Sequence, residues 1–122
     1  MSKILIVDDS TTMRQQVKQA IAADGYEIAE AADGQEALEL LRGDTTVKVV
    51  VLDVNMPRMN GIELIEALKE EGRMDSGLQV VMLTTEGHAE LIGRAKAAGA
   101  KGWIVKPFKA EMLAAAVKKM AA

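Results

Sequence analysis

The chain has 122 residues, enough for one hydrophobic core but not for two separate ones, so we expect a single domain over residues 1–122. Its formal net charge is -3 and its lysines and arginines are scattered, which argues against a nucleic-acid-binding surface. The absence of cysteine excludes disulfides and thiolate metal sites. Because the apolar runs fall far short of the ~20 residues of a membrane helix and the N-terminus lacks a signal-peptide pattern, we expect a cytoplasmic protein without a membrane partner.

Short runs of β-forming residues alternate with longer segments of helical periodicity. The predicted strands cover, in chain order, residues 3–7, 26–31, 48–52, 79–83 and 102–105. Three of them contain the uninterrupted apolar stretches ILIV, VVVL and VVML. Such stretches are typical of strands that are covered on both faces, as in a parallel sheet.

Apolar stripes at helical spacing mark the segments between these strands. The stripes are Met13, Val17, Ala20 and Ile21 in the first helix, Leu64 and Leu68 in the third, and Met112, Ala116 and Met120 in the last. Gly25 and Gly99 follow helical segments, where a left-handed residue is expected, and Asn60 is placed to cap the third helix. The alternation predicts an α/β fold of the (βα)5 kind, with right-handed crossovers that place helices on both faces of a five-stranded parallel sheet.

Polar residues follow four of the predicted strands, at the edge where open parallel sheets bind their ligands. These residues are Asp8 and Asp9 after the first strand, Asp53 after the third, Thr84 after the fourth and Lys106 after the fifth. Taken singly, Asp8 and Asp9 could cap the first helix, and Thr84 and Lys106 could be ordinary strand and surface residues. Asp53 is harder to explain in this way, because a partly buried charge is costly unless it is paired. The joint placement favours a functional site.

Three carboxylates crowded beside one lysine require a cation to offset their repulsion. The available ligands are oxygens, since the chain has one histidine and no cysteine, and this donor set favours Mg²⁺. Such a cleft can hold a phosphoryl group, with the metal and Lys106 neutralising its oxygens and Asp53 as the best candidate nucleophile for an acyl phosphate. The sequence lacks a GxxxxGK[ST] loop, so we expect the phosphoryl donor to be another protein or a small activated phosphate.

Four stretches of the chain, IVDDSTTMRQ, VVVLDVNMPRMNGIEL, VVMLTTE and AAGAKGWIVKPF, resemble the signature regions of the receiver domains of two-component response regulators. The resemblance runs over essentially the whole chain and is greatest to the single-domain chemotaxis regulators of the CheY type. It implies a flavodoxin-like fold with strand order 2-1-3-4-5. It also implies Mg²⁺-dependent transfer of a phosphoryl group to Asp53 from a sensor histidine kinase of the CheA type.

The resemblance further implies roles for individual residues. It implies a metal site formed by Asp8, Asp9, Asp53 and the backbone carbonyl of Asn55, and phosphoryl-oxygen contacts from Thr84 and Lys106. It also implies a cis peptide bond between Lys106 and Pro107.

Three further positions bear on how long the signal lasts and how it is passed on. In the family, the positions of Asn55 and Glu86 influence attack by water on the acyl phosphate, and we expect a lifetime of seconds to minutes here. Trp103 stands at the position of the switching aromatic residue, which is usually tyrosine or phenylalanine. Because an indole is larger and needs a partner for its N–H, static packing of Trp103 stays open as an alternative.

Output is expected to come from phosphorylation-dependent protein binding by a monomer, because the sequence leaves no room for an output domain after the predicted fifth helix, with Met120, Ala121 and Ala122 as its last residues. Two kinds of output are open: binding to the flagellar motor switch, or service as a phosphate sink or relay for the same kinase. A phosphatase is a further candidate partner. A small Mg²⁺-dependent phosphohydrolase is a weaker alternative, because the chain has little room for a substrate pocket. A flavin-binding electron carrier is disfavoured, because the acidic pair would repel a flavin phosphate.

Overall fold

A computed structural model describes residues 2–54, 59–85 and 89–121. Within these residues, strands and helices alternate along the chain. The strands are β1 (Lys3–Val7), β2 (Glu27–Ala31), β3 (Val47–Asp53), β4 (Gln79–Thr84) and β5 (Gly102–Val105). The helices are α1 (Thr11–Ile21), α2 (Gly34–Gly43), α3 (Gly61–Glu70), α4 (Ala89–Ala97) and α5 (Ala110–Ala121), with short 3-10 turns at Ala22–Asp24 and Arg73–Ser76. Each helix in this described part of the chain is too short or too polar to cross a membrane.

All five strands belong to one sheet in the order β2-β1-β3-β4-β5, and every neighbouring pair is parallel. This confirms the predicted (βα)5 architecture and the flavodoxin-like strand order 2-1-3-4-5. The chain passes from β1 outward to β2 and then returns across β1 to β3, so the strand order reverses there. Ligands of open α/β sheets bind at such a reversal, beyond the carboxyl ends of the strands.

Two strands extend one residue further at their carboxyl ends than the sequence predicted. Asp53 and Thr84 were expected to follow β3 and β4, but each is the last residue of its strand. The reason is the backbone register: Asp53 is paired with Leu83, and Thr84 with Val105. Both side chains are therefore held by the sheet itself.

The sheet separates two hydrophobic layers. The layer under α2, α3 and α4 includes Leu5, Val50, Met82, Leu41, Leu64, Leu68 and Ala95. The layer under α1 and α5 includes Ile4, Val49, Leu83, Val17, Ile21, Leu113 and Val117. Burial of Leu64 and Leu68 confirms the predicted inner face of α3, and burial of Val17 and Ile21 confirms that of α1.

The apolar stripe predicted on α5 is not its most buried one, and only part of that prediction holds. Leu113 and Val117 are fully buried, whereas Met112 is 56% exposed. Ala116 and Met120 lie at the margin of the layer, partly buried against it. Two stripes on α5 have the same helical spacing, and the sheet takes the one whose branched side chains pack against β strands.

Turns and caps agree with the sequence. Gly25 and Gly99 have φ values of 72° and 109°, a region that favours glycine. Asn60 caps α3 in a capping box, in which its side chain accepts from the Glu63 backbone N–H and the Glu63 carboxylate accepts from the Asn60 backbone N–H. The cap fixes where α3 begins, eight positions after the end of β3.

Candidate functional site

Buried polar groups gather at the carboxyl ends of the strands. Of the polar and charged side chains that the structure describes, four are buried, and three of these are Asp8, Asp53 and Thr84 at this edge, 3%, 5% and 0% exposed. The fourth, Asp33, is the N-cap of α2 and accepts from the Glu36 backbone N–H at 2.9 Å. Capping thus gives Asp33 a structural reason to be buried, whereas the other three lie at the edge where ligands are expected.

Asp8 lies directly beyond β1 and is held on several sides. Its backbone N–H donates to the Ala31 carbonyl at 3.1 Å, and its Oδ1 accepts from the Ser10 backbone N–H at 2.9 Å. The N-cap of α1 is Ser10, whose hydroxyl oxygen accepts from the Met13 backbone N–H at 3.2 Å. Ser10 therefore caps the helix, so helix capping does not explain why two aspartates are adjacent here.

One carboxylate oxygen from each of Asp8, Asp9 and Asp53 lies within 4.8 Å of the other two, and we call these three residues the acidic cluster. Asp9 is exposed, while the other two are buried. Ligands around an octahedral Mg²⁺ at ~2.1 Å are themselves about 3 to 4 Å apart, which this spacing allows. Two of these oxygen donors are buried and one faces solvent. This arrangement fits a hard cation that keeps some of its waters.

Lys106 brings the single ammonium group that contacts the cluster among the ion pairs of the described residues. Its Nζ lies 3.2 Å from Asp53 Oδ1 and 3.3 Å from Asp8 Oδ2, and its side chain is mostly buried. One lysine against three carboxylates leaves the cluster formally negative. Repulsion between the carboxylates is therefore only partly offset, and a bound cation would lower it further.

The backbone around Lys106 ties it to Thr84. The Lys106 backbone N–H donates to the Thr84 carbonyl at 2.7 Å, and the Lys106–Pro107 peptide bond is cis, as the resemblance implied. Thr84 lies one residue beyond Leu83, the register partner of Asp53. The threonine and the lysine therefore border the acidic cluster from β4 and from the end of β5.

Trp103 lies on β5, three residues before Lys106, and is paired with Met82. Its side chain is partly buried against the layer under α4, and its indole Nε1 is buried and has no hydrogen-bond partner among the residues that the structure describes. Asn55 and Glu86, which the resemblance assigned to metal binding and to acyl-phosphate hydrolysis, lie outside the residues that the structure describes.

Two residues at this edge were missed by the sequence prediction. The backbone of Gly61 approaches Asp53 so closely that a Cβ atom there would lie 2.4 Å from the Asp53 carbonyl oxygen. Arg14 donates from Nη1 to the Asp8 carbonyl oxygen at 2.6 Å. The sequence does contain a signal for Arg14. A cation near the start of a helix opposes the helix dipole, so its presence there indicates a favourable contact elsewhere.

Comparison with known proteins agrees with this geometry. The sequence profile of the response regulator receiver domain matches residues 4–118. The chain belongs to the response regulator receiver domain family.

Similar receiver proteins include chemotaxis regulators from several bacteria. The chain is 40% identical to the chemotaxis protein CheY1 of Helicobacter pylori over 112 residues, which is 91% of this chain and 90% of that protein. It is 40% identical to the chemotaxis protein CheY of Pseudomonas aeruginosa over 119 residues, covering 97% and 94%. These likenesses identify a CheY-like receiver, a signalling domain of the response regulator kind.

Solved receiver structures superpose closely on this chain. The chemotaxis response regulator CheY4 of Vibrio cholerae has a TM-score of 0.87 at 40% identity, covering 98% of both chains. A complex of CheX with CheY, BeF3 and Mg²⁺ from Borrelia burgdorferi has a TM-score of 0.81 at 31% identity, covering 98% of this chain and 85% of that one. The chain therefore shares the whole fold of these regulators.

Proposed function

We propose that this response regulator works in a two-component chemotaxis pathway by accepting a phosphoryl group on Asp53 from the phosphohistidine of a CheA-like sensor kinase. The observation that carries the proposal is the acidic cluster, in which one carboxylate oxygen from each residue lies within 4.8 Å of the other two, with Lys106 Nζ 3.2 Å from Asp53 Oδ1. A nucleophilic carboxylate beside further metal ligands and an ammonium group is the arrangement that phosphoryl transfer needs.

Transfer makes one bond and breaks one. A carboxylate oxygen of Asp53 attacks the phosphorus atom, and the P–N bond to the kinase imidazole breaks with its electron pair left on nitrogen. Mg²⁺, held by the acidic cluster and the backbone carbonyl of Asn55, would supply positive charge for the phosphoryl oxygens. Lys106 would exchange its contact with Asp53 for a phosphoryl oxygen, and the Thr84 hydroxyl would donate to another.

A groove beside the site is the place where we propose that a donor protein docks. It has a volume of about 470 Å³ and is lined by Met13 and Gln16 of α1, Thr85, Lys106 and Phe108. A partner that inserts a side chain here would bring a phosphohistidine next to Lys106. The chain would have no turnover of its own beyond hydrolysis of its acyl phosphate, which we propose that Asn55 and Glu86 tune.

Labelling with an acyl-phosphate donor and Mg²⁺ tests the phosphoacceptor. Asp53→Asn should abolish acid-stable, base-labile labelling, because an amide is no nucleophile. Asp33→Asn is the matched control, because Asp33 is an equally buried aspartate, 5% exposed like Asp53, and asparagine also caps helices. Full labelling of Asp53→Asn, or loss of labelling in Asp33→Asn alone, would refute the assignment.

Trp103 is our proposed switch residue. A buried N–H without an acceptor costs about 1–3 kcal/mol, so an arrangement that gives the indole an acceptor would be favoured when the site changes. Phosphorylation adds negative charge that attracts Thr84 and Lys106, and Lys106 is three residues from Trp103. The switch would couple these movements to the surface around β5.

Tryptophan emission measures this coupling, since Trp103 is the only tryptophan of the chain. Emission is recorded after Mg²⁺ and again after beryllofluoride, a phosphoryl mimic. A switching Trp103 gives a second change beyond the metal effect, and Asp53→Asn removes that second change. Identical emission and iodide quenching before and after confirmed beryllofluoride binding would show static packing.

The proposed output is phosphorylation-dependent binding to the flagellar motor switch. Two large apolar side chains are exposed in the last part of the fold, Val105 at 51% and Met112 at 56%, and we propose that they take part in the binding surface. A pull-down with motor-switch components should retain the chain only in its beryllofluoride form. Equal retention without the mimic would refute phosphorylation control, and no retention in either form would instead favour a phosphate sink or relay.

A further inference from the structure

Of the helices that the structure describes, α4 buries the least apolar side chain. Among its described side chains only Ala95 is buried, together with Ala98 directly after the helix, while Leu91 and Ile92 are partly buried. Each of the other helices buries at least two large aliphatic side chains against the sheet. Because burial of large apolar side chains is the main contribution that holds a helix to a sheet, α4 can be displaced at a lower cost than its neighbours.

Long charged side chains join α4 to α3. Arg94 donates to both carboxylate oxygens of Glu66, from Nη2 at 2.8 Å and from Nε at 3.3 Å, which fixes the pair in one geometry. Lys69 donates from Nζ at 2.7 Å to the carbonyl oxygen of Ala97, the last residue of α4. All four residues line a groove of about 450 Å³ between the two helices. We call the Glu66–Arg94 and Lys69–Ala97 contacts the latch.

The helix that the latch holds is close in the chain to one of the site residues. Thr84 is the last residue of β4, and α4 begins at Ala89, five positions later. A phosphoryl group on Asp53 would attract the Thr84 hydroxyl, and a shift of the backbone there would pass to the start of α4. Lys106 Nζ contacts Asp53 directly at 3.2 Å, a contact that the phosphoryl group would replace. The latch is therefore formed in the arrangement that precedes phosphoryl transfer.

We propose that the latch is a regulatory restraint, which favours this resting arrangement and opposes the displacement of α4 that follows phosphorylation. Contacts made in only one of two arrangements shift the equilibrium toward it, and a ligand that prefers the other arrangement binds more weakly as a result. The Arg94 and Glu66 side chains are 47% and 43% exposed, so the restraint is a modest one that phosphorylation can overcome. This inference rests on the proposed function, because α4 responds here to a phosphoryl group on Asp53.

Titration of the full chain with beryllofluoride at saturating Mg²⁺, followed by fluorine NMR, tests the proposal. Arg94→Met should tighten beryllofluoride binding about threefold, the order of effect that an exposed ion pair can have. Glu66→Met removes the other partner and should tighten binding by the same factor. A direct effect of charge would have opposite signs in these two variants, because one loses a positive and the other a negative charge. The double variant should gain no more than either single variant, since both remove the same contact.

Arg42→Met is the matched control. Arg42 of α2 donates from Nε and Nη2 to the two carboxylate oxygens of Glu71, at 3.1 and 2.7 Å, so this pair has the same forked geometry as the pair in the latch. Its side chains are 53% and 32% exposed, and both residues lie outside α4. Arg42→Met should leave the affinity for beryllofluoride as in the wild type. The urea midpoints of both arginine variants are measured too, because a contact that only stabilises the fold would lower the midpoint without tightening beryllofluoride binding.

Three outcomes overturn the inference. The first is beryllofluoride binding in Arg94→Met that is equal to or weaker than in the wild type. The second is a pair of opposite shifts in Arg94→Met and Glu66→Met, which would show an effect of charge. The third is an equal gain in Arg42→Met, which would show a general loosening of this helix layer. If the wild type does not bind beryllofluoride, or if Asp53→Asn binds it equally well, the proposed function fails and the inference fails with it, so the two failures are distinguishable.

Discussion

The acidic residues at the two edges of the sheet, where the strands begin and where they end, are neutralised to different extents. Where the strands begin, Asp44 is matched by Lys3, whose Nζ lies 2.5 Å from Oδ2, and by Thr46, whose hydroxyl and backbone N–H donate to Oδ1. These contacts hold the pKa of Asp44 well below its usual range. Where the strands end, the acidic cluster shares the ammonium of Lys106. One edge compensates its charge internally, and the other keeps an excess that a ligand can use.

The largest difference in stability between the two edges is expected when the lysine of each edge is replaced. Lys106→Met removes the ammonium that contacts buried Asp8 and Asp53, and loss of one partner from a buried pair costs about 3 kcal/mol of unfolding free energy. Lys3→Met breaks a more exposed pair and should cost far less. Urea unfolding measures both. Mg²⁺ should restore part of the loss in Lys106→Met, and a similar cost at the two edges would contradict the comparison.

A smaller effect is expected from crowding the backbone of the acceptor strand. Gly61→Ala places a Cβ 2.4 Å from the Asp53 carbonyl oxygen, which forces the backbone to shift and should cost about 2 kcal/mol. Gly43→Ala is the control near the other edge, because a Cβ there meets no atom within 4 Å. Gly61→Ala should also slow labelling of Asp53. Equal unfolding midpoints for the two variants would show that the contact with Asp53 is not restrictive.

Mg²⁺ should stabilise the protein through one edge only. At a free concentration ten times Kd, a ligand bound only by the folded state adds about 1.4 kcal/mol to the unfolding free energy. The wild type and Asp44→Asn should both gain this amount, whereas Asp9→Asn should gain little and should need much more Mg²⁺ for labelling, because it lacks one anionic ligand. An unchanged Mg²⁺ response in Asp9→Asn would remove Asp9 from the metal site.

The smallest expected effect is on the pH dependence of the unfolding free energy. Because the folded-state pKa of Asp44 is lowered, its contribution is fully present above its ordinary pKa of about 3.9 and is lost as the pH falls toward the folded value. Asp44→Asn should therefore be slightly less stable than wild type at neutral pH, and the difference should shrink below that ordinary value. Lys3→Met should follow the same pH dependence. A difference that grows on acidification would contradict the pairing.

Much of this molecule was predictable from the sequence for a physical reason. Consecutive apolar residues such as ILIV and VVVL fit strands covered on both faces, and parallel strands bring their carboxyl ends to one edge. Asp8, Asp9 and Asp53 were therefore expected together, although they are distant in the chain. The order of the strands came from the resemblance, because spacing alone does not choose among permitted orders.

What the sequence missed depends on contacts between elements. The stripe of Met112 and the stripe of Leu113 have the same helical period, and only packing against the sheet decides between them. The contact of Gly61 with Asp53 depends on where α3 returns to β3. Arg14 was marked only by its unfavourable place near the start of a helix, and the backbone carbonyl that it contacts has no sequence signature. These are three-dimensional properties that periodicity does not encode.

The contact of Lys106 with Asp8 joins residues 98 positions apart, on the ends of β1 and β5, which are separated in the sheet by β3 and β4. A chain divided between α3 and β4 would place all three carboxylates on the first fragment and both Thr84 and Lys106 on the second. Neither half could form the site alone, and their opposite charges would attract at the point where they rejoin. Phosphoryl acceptance would then report that two separately made fragments had reassembled into the complete sheet.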